Sequence, residues 1–523
     1  MKKLKLTTIL LIVFTLFAEN EDIRKIIESP LTAFNEGELY CINPLQSLYE
    51  TNKLNLFWDN ENLANSFIDT LGQAKWEGLD PDDYHYSYLS SNFKSNDPGS
   101  KALRDVLLTD AFLLYANHLL SGKLNPDDLH PEWNTKRRYE DITSLFRRSA
   151  GTIQLFTELE KIKPQQKGYK ELKNKLKYFF SLKNDIKQVV TKGNLIKPGM
   201  TDNRMPLIRK NICIIENNKL ASPSDSLMYD DELTETVKQF QKRHGLRNDG
   251  IIGDNTIKMM NLSIYDRIGK IKVNLERLRW MPDEYGENYL IVNLADYKLS
   301  LFKKNQLISE NNVIIGKSYR KTPIFSDKMT YLVFNPTWTV PPTILKNDVI
   351  PAVKKDINYL KKKNIRIFKN DPTNINEVSV ESIDWSNITG NNFPYRLVQD
   401  PGPNNSLGEV KFMFPNKHNI YIHDTPDKTL FQKEEKNFSS GCIRVEKPLE
   451  LAEILLKDNL GWNHEKIENI VSSRKETTVI FPKPVTVHIL YWTAWVDNAG
   501  IIQFRNDIYD RDKDVLAGLK GKK

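Results

Sequence analysis

The apolar residues of this chain follow two different rhythms. From about residue 20 to 265 they recur at three- and four-residue spacing, the period of a helix with one buried face. The stretches "LANSFIDTLGQAKWEGLDPDDYH" and "KALRDVLLTDAFLLYANHLLSGKLNP" show it, and each ends at a Gly- or Pro-punctuated turn. "KIKPQQKGYKELKNKLKYFFSLKNDIKQ" is an amphipathic, lysine-rich helical stretch. "LTETVKQFQKRHGL" sets Leu233, Val237 and Phe240 on one helix face, with Gly245 as its stop. From about 285 the period falls to two. "NYLIVNLADYKLSLFKKNQLISENNVIIGK" alternates, with turns near Asp296 and Asn305, and reads as a β-meander. "TYLVFNPTWTVPPTIL" adds a strand that runs into a proline-rich bend. "LKNDVIPAVKKDINYLKKKNIRIF" then interrupts with helix, and "SLGEVKFMFPNKHNIYIHDTP" returns to strand. The interruption, about 345–400, is therefore an insertion into a mostly β domain. A helix in "PLELAEILL" and strands in "TTVIFPKPVTVHILYWTAWVDNAGIIQFR" follow, and residues 512–523 are expected to be a polar, frayed tail.

The first residues break both rhythms. Lys2, Lys3 and Lys5 precede an apolar run from Leu6 to Ala18. That is the length of a signal-peptide core and short of the ~20 residues of a membrane span. Residues 1–18 are expected to be an export signal or a short N-terminal anchor, Leu16 being large for the position three before a cleavage site. Export is expected to place the rest of the chain outside the cytoplasm.

Bulk composition narrows the function only by exclusion. The 523 residues, 40% hydrophobic and 27% charged, can fill about two to four domains. A net charge of +8 is compatible with an anionic polymer as partner. There is no arginine-rich run, no zinc-finger spacing and no aromatic–basic interleaving, so nucleic acid is not expected. The 8 histidines are scattered, with no HExxH, and neither metal nor cofactor is expected. His118 lies in a helical pattern and reads as a packed histidine. The 3 cysteines are an odd number, which leaves at least one unpaired; whether Cys41 and Cys213 pair stays open.

Cys442 stands apart because of its neighbours. In "NFSSGCIRV" it follows Ser439, Ser440 and Gly441, small residues that leave a sulfur reachable and let backbone N–H groups point at a bound molecule. Upstream, "NIYIHD" alternates, so Ile420 and Ile422 share one face and Tyr421 and His423 the other. The isoleucines suit a core, which turns His423 and Tyr421 towards a cleft. The loop "DTPDKTLFQKEEKNF" between them can return Cys442 to His423, an arrangement in which an imidazole takes the proton of a nucleophilic thiol. N–H groups at Ser440, Gly441 and Cys442 would then face an oxyanion. Arg444, two residues on, shares the face of Cys442 and would favour a thiolate or hold a carboxylate. His418 is a rival base of the other strand parity. A buried, inert Cys442 beside a core histidine is the competing reading of the same spacing.

Two groups of motifs carry a family resemblance. Phe240-Gln241, Gly245-Leu246, Asp249-Gly250, Gly253 and Thr256 resemble the three-helix peptidoglycan-binding module. "IYIHDTP" and "SSGCIRV" resemble the signature of the L,D-transpeptidase (YkuD-type) catalytic domain. "NPTWTVPPTI", "DVIPAVKKDINYL", "PGPNNSLGEVKFMFPN", "GLDPDDYH" and "VHILYWTAWVD" are similar to its large periplasmic subclass. Ser440 stands where small members carry histidine, a departure that selects that subclass.

The resemblance implies a multidomain α+β chain. A helical scaffold region at 19–199 and a small three-helix module at 200–265 precede a mostly β catalytic domain at 285–511, with a helical capping insertion. It also implies a cysteine thioester enzyme that joins peptidoglycan stem peptides by 3→3 cross-links between diaminopimelate residues. Cys442 would be the nucleophile and His423 the acid/base, held by the backbone carbonyl of Asp424. Tyr421, Ser440 and Gly441 would form the oxyanion site. Arg444, Ser439 and Trp338 would meet substrate. Peptidoglycan stems and glycan, covalent carbapenem inhibitors and further wall-synthesis proteins are the implied partners. An L,D-carboxypeptidase that trims D-alanine, or a non-catalytic wall-binding scaffold, are the alternatives.

Overall fold

The computed structural model describes residues 20–28, 38–91, 97–131, 133, 135, 137–182, 189–217, 220, 225–370, 376–457 and 461–521. The signal or anchor expected at 1–18 lies outside them. The chain divides into two compact units. One comprises residues up to Pro131, Thr135–Glu284 and Trp492–Lys523, and the other is essentially Tyr285–Tyr491.

The second unit is a closed barrel with an insertion. Its strands are β1 (Asn288–Asn293), β2 (Lys298–Lys303), β3 (Gln306–Ile314) and β4 (Phe325–Phe334). Within the insertion come β5 (Trp338–Thr339), β6 (Ile365–Lys369) and β7 (Tyr395–Gln399). The barrel resumes with β8 (Val410–Met413), β9 (Ile422–His423), β10 (Ile443–Val445) and β11 (Thr477–Leu490). Around the barrel the order is β1-β11-β4-β8-β9-β10-β3-β2. The meander expected from the alternating stretch is β1, β2 and β3, turning at 294–296 and at Lys304-Asn305. The long β11 slips register against β4 between Ile480 and Val485. Pro482 and Pro484 stand in that gap, and a proline has no N–H for the ladder, so the strand bulges there.

The insertion contains the expected helices, Pro342–Ile344, Ile350–Lys355 and Tyr359–Lys362, with a π-turn over Leu345–Val349. It adds a three-stranded sheet, β5-β7-β6, that the helical reading of "LKKKNIRIF" missed. The core of this cap gathers Trp338, Val349, Ile350, Val353, Ile367 and Leu397, and Tyr421 packs against it.

The first unit is helical. Its central helix, Pro98–Ser121, is buried along most of its length, and two of its carboxylates collect backbone N–H groups from loops. Asp105 accepts from Phe57 and Trp58, and Asp110 from Tyr40 and Cys41. His118 is fully buried and bonded to the Tyr84 hydroxyl at 3.0 Å, a packed histidine. Three helices, Met205–Glu216, Asp231–Arg243 and Asp254–Met260, surround the core of the module. That core also takes in Val190 and Ile196, so the module starts before the expected boundary at 200. Gln241 is its hub: its side chain accepts from the Gly250 N–H at 2.9 Å and donates to the Ile251 carbonyl at 2.9 Å. Among the described residues no disulfide forms, so the pairing of Cys41 with Cys213 left open above is not made.

Two expectations about the C-terminus are corrected. Residues after Tyr491 belong to the helical unit, not to the β domain, and include β12 (Ala494–Val496) and β13 (Ile502–Phe504). The tail is not frayed: Asp512–Lys520 is a helix that buries Val515 and Leu519. Asp512 accepts from the fully buried Arg277 at 2.6 Å and from Thr493 at 2.8 Å. A buried guanidinium without a carboxylate partner would cost several kcal/mol, which fixes the tail in place.

Candidate active site

The site grows out of one pair of strands. β9 and β10 are parallel, with Ile443 opposite Ile422 and Arg444 opposite His423. A parallel pair needs a long connection, and residues 424–442 supply it. Ile422, Ile443 and Val445 are fully buried in the barrel. By strand parity the opposite face carries Tyr421 and His423 from one strand, Cys442 and Arg444 from the other, and Lys411 of β8, which pairs with His423. The alternation of "IYIH" thus gave the correct faces. It did not give the exposure of His423, expected to look into a cleft but only 4% exposed.

His423 is held in one tautomer. Its Nδ1 lies 2.5 Å from the Asp424 carbonyl oxygen, which can only accept, so Nδ1 carries the hydrogen and Nε2 keeps a lone pair. Burial, then the positive charges of Arg444 and Lys411, push the imidazole pKa down to about 3. The Asp424 carboxylate is itself buried and fixed, accepting from the Glu409 N–H at 3.0 Å and pairing with Lys428. It lies so close over Gly408 (φ 62°) that no Cβ fits there.

Cys442 is partly exposed. Its thiol donates to the Asn419 carbonyl at 3.8 Å, and among the described residues no hydrogen bond joins it to His423. The Tyr421 ring packs against the cap core that holds Trp338 and lies 5.5 Å from the ring of His423. Burial raises the thiol pKa, against the lowering effects of Tyr421 and Arg444. With His423 low and Cys442 high, the resting pair is neutral thiol and neutral imidazole. Arg444 faces Asp427 at 3.8 Å.

Part of the polar equipment of the loop before the sulfur holds the loop's own shape. Ser439 is 3% exposed; its hydroxyl donates to the Cys442 carbonyl at 2.5 Å and accepts from the Gly441 N–H at 3.1 Å. Ser439 therefore shapes the loop and is not placed to meet substrate. The Gly441 N–H, expected to face an oxyanion, is spent on Ser439. Among the described residues no hydrogen bond takes up the N–H of Ser440 or of Cys442. Gly441 has φ 125°, a region few side-chain-bearing residues enter. Its carbonyl accepts from Thr322 Oγ1 at 2.8 Å, and that same hydroxyl accepts from the Gly316 N–H at 2.9 Å.

Three residues here were not found from the sequence. Asn419 presents its carbonyl from a left-handed conformation (φ 54°), Thr322 braces Gly441, and Arg320 donates to Ser440 Oγ at 2.8 Å. Only the polar run "GKSYRKT" between two strands marked the segment, and no spacing tied it to residue 440. His418 packs against Phe325 with ring centroids 5.1 Å apart.

A closed barrel that gathers a cysteine and a histidine on one face defines a candidate thiol enzyme. Residues 287–480 match the family profile described as L,D-transpeptidase catalytic domain. Residues 43–176 match the scaffold domain, and 217–260 the "Putative peptidoglycan binding domain". Residues 287–480 thus carry an L,D-transpeptidase catalytic domain.

A Haemophilus influenzae protein named "Putative L,D-transpeptidase" is 38% identical over 246 residues, 47% of this chain and 48% of that protein. The chain thus spans about half the length of that curated relative. Among solved structures, an L,D-transpeptidase from Xylanimonas cellulosilytica is 11% identical, covering 57% of this chain and 99% of its own, with a TM-score of 0.18. One from Stackebrandtia nassauensis is 10% identical over 58% of this chain and 97% of its own, with a TM-score of 0.22. Neither TM-score is high enough to bear on the fold.

Proposed function

We propose that this chain is a cysteine-dependent peptidoglycan L,D-transpeptidase that makes 3→3 cross-links outside the cytoplasm. The observation that carries the reading is the register of β9 and β10, which sets Tyr421, His423, Cys442 and Arg444 on one face. The donor is a tetrapeptide stem, and Cys442 Sγ attacks the carbonyl between diaminopimelate and D-alanine. Because thiol and imidazole both start neutral, the proton passes from Sγ to His423 Nε2 as the C–S bond forms. The thiol leaves Asn419 for the imidazole in that step. The N–H groups of Ser440 and Cys442 receive the oxyanion, with the Tyr421 hydroxyl beside them. His423 then returns its proton to the leaving nitrogen of D-alanine, and the thioester remains.

The side-chain amine of a second stem attacks that thioester. Its proton passes through His423 back to sulfur, and the amide of the cross-link is released with the free thiol. The Asp424 carbonyl keeps Nδ1 protonated throughout. Arg444 and Trp338 border the bound stem. A carbapenem would acylate Cys442 by the first half of this sequence, and the helical module would hold the glycan.

Intact mass after carbapenem exposure is the test. Wild type is expected to gain one adduct, and Cys442→Ala none. An adduct that persists in Cys442→Ala sinks the proposal. Muropeptide profiles of cells carrying each form should show 3→3 dimers only with wild type, and trimmed monomers without dimers would assign a hydrolase.

A further inference from the structure

Arg320 makes a contact that the acyl-transfer steps leave unexplained. It lies in the segment between β3 and β4, and its side chain is only 13% exposed. Nη1 donates to Asp348 Oδ2 at 2.7 Å and to Ser440 Oγ at 2.8 Å, while Nη2 reaches Asp348 Oδ1 at 3.3 Å. Asp348 belongs to the π-turn of the cap, and Ser440 is two residues before the nucleophile. One planar guanidinium therefore holds the cap by a two-pronged carboxylate bond and the nucleophile loop by its remaining reach.

The surroundings give this link leverage. The segment that carries Arg320 is stitched to the same loop by backbone bonds, Lys317 N–H to the Ser439 carbonyl at 3.0 Å and Ser439 N–H to Ile315 at 2.8 Å. Ser440 itself has no such bond among the described residues, so Arg320 is what fixes its side chain. Next to Asp348, Val349 and Ile350 enter the cap core that Trp338 and Tyr421 share. A shift of the π-turn is thereby felt on both sides of Cys442. Lysine could not substitute fully, because a point charge cannot bracket a carboxylate and reach a hydroxyl in one plane.

We infer that Arg320 is a positioning residue that couples the cap, through Asp348, to the Ser440–Cys442 loop, so that the loop is set for acylation only when the cap is seated. The inference rests on the transpeptidase reading for its catalytic consequence, but the coupling itself is measurable without it. Amide hydrogen exchange on wild type, Arg320→Ala and Asp348→Ala is the first measurement. Asp348→Ala should speed exchange at 439–442, and Arg320→Ala should speed it at both 345–350 and 439–442. Unchanged exchange at 439–442 in Asp348→Ala overturns the proposal, whatever the fate of the activity.

The second measurement is the time course of carbapenem acylation. Arg320→Ala and Asp348→Ala should each slow it about fivefold, and the double variant no further, as members of one network do. Arg320→Lys should recover part of the loss, while alkylation of Cys442 by iodoacetamide stays within about twofold of wild type. Effects that multiply in the double variant, or alkylation that falls in step with acylation, overturn it. Absence of an adduct in wild type would instead sink the transpeptidase reading and leave the exchange result to decide the coupling.

Discussion

Two short motifs in this chain look alike on paper and end differently in space. In the helical module, Gln241 of the Phe-Gln pair turns inwards and spends its amide on Gly250, Ile251 and Thr256. In the barrel, "SSGC" spends Ser439 and the Gly441 N–H on itself, yet among the described residues no hydrogen bond takes up the N–H groups of Ser440 and Cys442 beside the sulfur. A motif whose polar atoms are all satisfied internally is architecture. One that leaves donors beside a nucleophile is equipped for chemistry. The two share glycines with positive φ, at Gly250 and Gly441, so backbone conformation alone does not separate them.

The comparison can be tested by its consequences. The largest expected effect is on pH dependence. Because the thiol pKa is raised and the imidazole is held near 3, the thiolate fraction has no neutral-pH plateau. Iodoacetamide alkylation of Cys442 should therefore climb about tenfold per pH unit up to and beyond about pH 8.5, the ordinary thiol value. A rate already level between pH 5 and 7 (roughly the window of a thiolate–imidazolium pair) would contradict the neutral resting state.

Next comes the module. Gln241→Ala removes the partner of a buried N–H and should cost about 2 kcal/mol in denaturant unfolding of the helical unit. Carbapenem acylation should not change. A loss of acylation with no loss of stability would mean that the motif does more than hold the turn.

The smallest effect is at Gly441. Alanine there meets only ordinary contact, Ile420 Cδ1 at 3.6 Å, so the cost is that of the backbone, about 1 kcal/mol or slightly more. Acylation should nevertheless fall, since relief of the positive φ turns the N–H of Cys442. Equal stability and equal acylation would show that the turn is not set by its glycine.

Much of the barrel was legible because two-residue periodicity is a local signal. Leu290 and Val292, or Ile422 beside His423, reveal their faces without any knowledge of partners. The C-terminal helix was missed despite Val515 and Leu519 at helical spacing, because a few apolar residues among many charges resemble a solvated tail. Its anchor, Arg277, lies 235 positions away from Asp512. Ser439 was misassigned for a related reason: whether a serine faces substrate or its own loop depends on the turn, and the turn depends on a bond from Thr322, 119 positions from Gly441. Arg320 offered no signal at all, since its worth lies in standing between two segments that only the fold brings together.

By itself the sequence determined which side chains alternate, where glycine must turn the chain, and which sulfur has small neighbours. These are properties of a residue and its near neighbours, fixed by covalent geometry and by the cost of burying apolar surface on the wrong face. The tertiary structure alone decided that His423 is buried and neutral, that Ser439 and Gly441 hold each other, and that one arginine ties the cap to the nucleophile loop. Desolvation and hydrogen bonding depend on what packs around a group, and here those neighbours come from strands far apart in the chain.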